Sequence, residues 1–219
     1  MSGIKKTIRD VEKRLTWPVS RTTHTGPLDI ISDPVTRTHV IRFPSDIAHA
    51  GDVRPIEYLH ELAHATLAER EPVFCVHGFL APGLEMDGLL SVLSDPVRAT
   101  ADWFVDDLVM QWAPKEQAAF IAEHIELMLR LAAQPDLPPD LIFAVGHIIA
   151  QGVLYLRITP PRIVRTLPNA VAIMDAFLSV HPRRPTQENF SSLFNLLLTR
   201  VCLVAAWDSS KSAWIVFPS

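Results

Sequence analysis

In the stretch PIEYLHELAHATLAE, residues 55 to 69, two histidines stand four positions apart with a glutamate beside the first: His60, Glu61 and His64. On a helix, residues four apart lie one above the other, so two imidazoles aim at a common point with a carboxylate next to them. Imidazole nitrogen is a good zinc ligand, and a catalytic zinc takes three protein ligands while keeping one position for water. The metal lowers the pKa of that water toward about 7. A carboxylate beside the metal but not bound to it can then take the proton and later pass it to a leaving amine. His60 and His64 are thus candidate metal ligands and Glu61 a candidate general base, and the chemistry they suit is metal-assisted hydrolysis.

Such a helix must be held in place. Leu59, Leu62, Ala63 and Leu67 give it apolar packing positions, Pro55 suits its first turn and Pro72 closes the segment. Before it, LDIISDPVTRTHVIRF at 28 to 43 carries two β-branched runs separated by Ser32-Asp33-Pro34, a hairpin signal. After it, a helix is expected from about Asp95-Pro96, where Asp can cap and Pro can occupy the first turn, to Trp112. Four further apolar-periodic segments follow: KEQAAFIAEHIELMLRLAA, PDLIFAVGHIIAQGVLYLRI, PRIVRTLPNAVAIMDAFLSV and TQENFSSLFNLLLTRVCLVAAW. DSSKS and AWIVFPS then read as a turn and a short terminal strand or docking segment. At the other end, Ile4, Ile8, Val11 and Leu15 mark an amphipathic helix. The expected class is α+β, with an α+β half over residues 1–113 and an all-helical half over 114–219; a core common to both is compatible with this division.

At this point the sequence resembles a known group. HELAHATL is similar to the HELxHxxL helix of the zincin metallopeptidases, and within them of the ImmA/IrrE-like peptidases of bacteria, phages and mobile elements. ADWFVDDLVM at 101 to 110 resembles that family's second block, commonly A-N-x-F-A-x-x-L-L-M, and THVIRF stands where zincins keep an edge strand that pairs with an extended substrate. The resemblance covers roughly residues 28 to 112. It implies a zincin-like domain over 1–113, one zinc per chain, and hydrolysis of a peptide bond in a protein or peptide substrate, for instance a regulatory protein. The chain after Pro114 has no counterpart in it.

The family's third ligand is a glutamate one helical turn before the Asn of the second block, and that count lands on Arg98, which cannot bind zinc. Asp102 is the first choice to replace it, on a helix that should pack across from His60 and His64. Glu85, Asp95, Asp106 and His77 are the alternatives, and the other role open to Asp102 is to orient a histidine through its far nitrogen. The metzincin pattern does not apply, since its histidine six residues after His64 is Arg70 here. Arg98 also motivates a second reading, a catalytically inactive zincin-like module that binds a partner protein. His147 and Gln151 share one face of an apolar helix. His147 could face the site and hydrogen-bond a reaction intermediate, although a core histidine satisfied by a polar neighbour is the commoner case.

Composition bounds the rest. With 219 residues, 48% of them hydrophobic, and a formal charge of -4, the chain can bury a sizeable core and offers no general electrostatic attraction to nucleic acid or anionic lipid. The apolar run at 141 to 156 is shorter than a membrane span and contains His147 and Gln151, so no membrane association is expected. The opening residues lack an apolar signal region, and Cys75 and Cys202 form neither a disulfide framework nor a C-x-x-C motif. These features fit a cytoplasmic protein; they leave the oligomeric state open.

Overall fold

A computed structural model describes residues 3–46, 53–75, 86–133, 139–200, 204–208 and 213–217. The chain is a mixed α+β protein, with most of its residues in helices around a small three-stranded sheet. Helix α1 (Gly3–Glu12) buries Ile4 and Val11 and leads into β1 (Val19–His24), β2 (Asp29–Asp33) and β3 (Thr38–Pro44). β2 and β3 form the hairpin that Ser32-Asp33-Pro34 announces, with Asp33 opposite Thr38. The Asp33 carboxylate closes the turn by accepting the Val35 N–H at 2.8 Å and the Thr36 hydroxyl at 2.7 Å, and Arg37 turns the chain with φ of 53°.

The strand order is β1-β3-β2, with β1 parallel and β2 antiparallel to β3. THVIRF is therefore the central strand and not an edge. Both of its hydrogen-bonding sides are taken, and among the described residues β1 and β2 are the outer strands of this sheet. β1 carries almost no apolar alternation because it is exposed along nearly its whole length, so it gave no strand signal. β3 does alternate, burying His39, Ile41 and Phe43 on one face. That face meets helix α2 (Pro55–Arg70), where Phe43 stacks on Tyr58 with ring centroids 6.1 Å apart. Beneath the sheet, His39 Nε2 pairs with Glu69 at 3.1 Å, while Glu69 also accepts the backbone N–H groups of Thr16 and Trp17, both at 2.7 Å.

α2 buries Ile56, Leu59, Leu62, Ala63, Ala65, Leu67 and Ala68, an arc wide enough to face both the sheet and helix α3 (Met86–Trp112). α3 starts nine residues before the expected Asp95-Pro96, which it takes into its interior. The apolar sequence upstream continues the helix, although Pro96 lacks the N–H that the carbonyl one turn earlier would accept. The helices α4 (Pro114–Ala132) and α5 (Pro139–Tyr155) follow. The segment expected as one helix at 161–180 is divided into α6 (Arg162–Arg165) and α7 (Pro168–Ser179). The break precedes Pro168, whose ring disfavours helical geometry at Leu167, observed at ψ of 88°. Helix α8 (Gln187–Arg200) stops short of the expected Trp207, and that stretch instead supplies β4 (Val204–Asp208), paired antiparallel with β5 (Ala213–Phe217).

A single apolar cluster runs from Ile4 to Leu198 and draws on residues before and after position 113. α5 and α7 approach so closely that a Cβ on Gly146 would lie 2.7 Å from Ile173 and 2.8 Å from the Ala170 carbonyl oxygen. Among the described residues, no helix is long and apolar enough to cross a membrane.

Candidate metal centre

His60 and His64 project from α2, one turn apart as their spacing dictates, toward Asp102 on α3. The three donor atoms form a triangle. His60 Nε2 and His64 Nε2 are 3.1 Å apart, His64 Nε2 lies 3.0 Å from Asp102 Oδ1, and His60 Nε2 lies 3.5 Å from the same oxygen. A tetrahedral zinc with bonds of about 2.0–2.1 Å spaces its donors about 3.3 Å apart, so the triangle has ion-sized edges. Two imidazoles and one carboxylate are also a donor set suited to a divalent transition metal, zinc among them, and these residues fit such an ion.

The three side chains also set one another's charge. Burial opposes charge on His60, yet the carboxylates of Asp102 and Asp106 outweigh it and hold the imidazole's pKa well above its ordinary value. Burial likewise opposes charge on Asp102, but hydrogen bonds and charge from His60 and His64 prevail and keep its carboxyl far below the usual carboxylate range. A metal arriving at Nε2 would displace the proton there.

The other nitrogen of His60 is held from behind. Its Nδ1–H faces Asp106 Oδ1 at 3.1 Å, and Asp106 is itself buried. Asp106 lies one turn beyond Asp102 on the same face of α3, so one helix presents one carboxylate to the donor triangle and another to the back of a histidine. Gln117 of α4 donates to Asp106 Oδ1 at 3.0 Å, and Gln151 of α5 donates to Oδ2. This support fixes the tautomer and ring orientation that leave Nε2 of His60 free to bind.

Glu61 sits on the same turn of α2, partly buried. Burial is the largest influence on its carboxyl and raises the pKa; His64 and His60 pull it back, while Asp102 and Asp29 of β2 push it further up. Arg98 is exposed on the solvent side of α3, so the position where the resemblance puts a glutamate does not face the histidines at all. Of the other candidates, Asp106 stands behind His60 and outside the donor triangle, while Glu85, His77 and the side chain of Asp95 lie outside the described residues. His147 Nε2 receives the Gln151 amide at 3.2 Å and its ring stacks on Phe177 at 4.5 Å. Burial lowers its pKa, and its polar neighbour is the residue one turn along the same helix.

Sequence reasoning did not single out Gln117. The signal is present, because Gln117, Ile121 and Ile125 are the buried i, i+4, i+8 positions of α4, and a glutamine in phase with an apolar stripe needs a buried partner. The role of Gln151 was half legible, as a polar residue on an apolar helix, but its bond to Asp106 was not. Comparison with protein-family models, curated proteins and solved structures gives no match to this chain.

Proposed function

We propose that this chain is a zincin-like, zinc-dependent metallopeptidase that hydrolyses a peptide bond in a protein substrate. The observation that carries the reading is the donor triangle of His60, His64 and Asp102, with Glu61 on the same helical turn as the histidines. A zinc ion held there would polarise the scissile carbonyl and acidify a water. Glu61 would then be the group placed to accept a proton beside the metal and return it to a leaving amine, a task favoured by the raised pKa that burial gives its carboxyl. Asp102 completes the ligand set in place of the glutamate that the family resemblance puts at Arg98. The reading is supported by a small sheet, a helix that bears both histidines and a second helix that bears Asp102.

The substrate strand needs a different berth from the one the sequence suggested. With both sides of β3 paired, the extended peptide is assigned to the outer edge of β2, which packs beside α2. A regulatory protein remains the substrate class that the family resemblance favours.

The test is metal content by elemental mass spectrometry together with cleavage of denatured casein and a mixed peptide library, for wild type and Glu61→Gln. Near one zinc per chain in both proteins, with cleavage only by the wild type, is the expected result. Zinc in both with identical residual cleavage would refute the role of Glu61, and zinc with no cleavage by either would favour the inactive, partner-binding module.

A further inference from the structure

Asp106 is 5% exposed, and its carboxylate is reached from three helices: by His60 of α2, Gln117 of α4 and Gln151 of α5. Both glutamines are themselves buried, Gln117 at 1% and Gln151 at 3% exposure. Amide donors do something here that an arginine or lysine would not. They fix the carboxylate's orientation while leaving its negative charge undiminished for the Nδ1–H of His60, and that charge is what strengthens Nε2 as a donor.

The Gln151 amide is held by a second partner, and Gln117 by the backbone of its helix. The Gln151 nitrogen carries two hydrogens, one directed to Asp106 Oδ2 and the other to His147 Nε2 at 3.2 Å. The ring of His147 is held against Phe177 of α7, so the amide plane cannot rotate freely. Gln117 lies in the first turn of α4, with its backbone N–H bonded to the Ala113 carbonyl at 2.9 Å. Neither residue touches the donor triangle, and both come from the helical part of the chain, beyond the reach of the resemblance.

We infer that Gln117 and Gln151 are positioning residues of the metal centre: through Asp106 they set the orientation and donor strength of His60, which makes the helical half a working part of the site. The inference rests on the metal reading above. The test uses full-length Gln117→Met, Gln151→Met, the double variant and Asp106→Ala. Zinc affinity is read by competition with a chromophoric chelator, and ligand geometry by the visible absorption of the cobalt-substituted protein.

Each single glutamine variant should bind zinc about tenfold more weakly, within the range for outer partners of metal-bound histidines, and should alter the cobalt spectrum. Adding either glutamine change to Asp106→Ala should cost nothing further, because the amides act through that carboxylate. Should Gln151→Met fail to fold, Gln151→Asn keeps a polar amide but withdraws it from Asp106 by one methylene, and should show the same loss. Wild-type affinity and an unchanged spectrum in the folded glutamine variants, with zinc still lost on Asp102→Ala, would overturn the inference and leave the metal reading standing. A wild-type chain that takes up no zinc would overturn the metal reading itself, and the inference with it.

Discussion

Replacing Asp102 by alanine removes one corner of the donor triangle and leaves two imidazoles 3.1 Å apart. The consequence can be worked through linkage. A ligand present at 100 times its dissociation constant stabilises the folded chain by about 2.7 kcal/mol. For a chain of this size each kcal/mol is worth about 2–4 °C in melting temperature, so zinc at that level should raise the wild-type midpoint by about 5–11 °C. If loss of the carboxylate weakens affinity about a hundredfold, the same zinc concentration equals the new dissociation constant, and the stabilisation falls to about 0.4 kcal/mol, or about 1–2 °C. A hundredfold is the upper end of the range for losing an outer partner, and a direct ligand should cost at least that much. The assay is a melt by circular dichroism with and without zinc, on chelator-stripped protein returned to metal-free buffer. An equal zinc-dependent shift in wild type and Asp102→Ala would refute the geometry's central claim, and Asp102 would then be a bystander to a site built from other residues.

Three other outcomes are expected. Acidification should destabilise the chain through the clasp of His39 and Glu69. Burial lowers the His39 pKa below 6.5 against the pull of Glu69, and Glu69 lies below 4.5 because its hydrogen bonds to Trp17, Thr16 and His39 outweigh its burial. Both groups therefore contribute stability that is present above their unfolded values and lost as pH falls through the folded ones. The melting temperature should decline first below about pH 6.5, where buried His147 adds to the loss, and again below about pH 4.5, and His39→Gln should lessen the first decline; a variant with the wild-type profile would exclude His39 as a source. Gly146→Ala places a methyl group against Ile173 and the Ala170 carbonyl, where α7 must move to make room, and should cost about 1–3 kcal/mol in a urea titration. Gly152→Ala meets only the side-chain ends of Ile125 and Ile158, which can rotate, and should cost less; equal losses would show that the α5–α7 contact yields as easily as a side chain.

Local pattern disclosed the helices and the hairpin because their signals lie within a turn or two of sequence: Pro55 and Pro72 around α2, Asp33-Pro34 between β2 and β3. The failures have equally physical causes. Pro96 marks a helix start by propensity, but one missing hydrogen bond does not end a helix whose backbone begins at Met86. Strand order is a non-local property, so nothing within THVIRF could reveal that VSRTTH pairs along its other side. In the candidate site, the spacing of His60 and His64 is written in the sequence, and Asp102 could be ranked first from its place on the next helix. The backing of His60 joins residues 46 positions apart, and that of Asp106 to Gln151 joins residues 45 apart, contacts that only the packed chain defines.

The charge buried at Asp106 also bears on how the chain finds one arrangement among many. An apolar helix can slide by a turn against its neighbours and still bury comparable surface. Here a one-turn slip of α4 or α5 would carry Gln117 or Gln151 away from the carboxylate and leave an ion in the core short of donors, which costs far more than a misplaced methyl group. The same three hydrogen bonds therefore act as a register key for helices that are otherwise held together by leucine, isoleucine and phenylalanine. A slipped packing therefore carries a penalty that does not depend on any metal, and the favoured alignment is the one in which Asp106 meets His60.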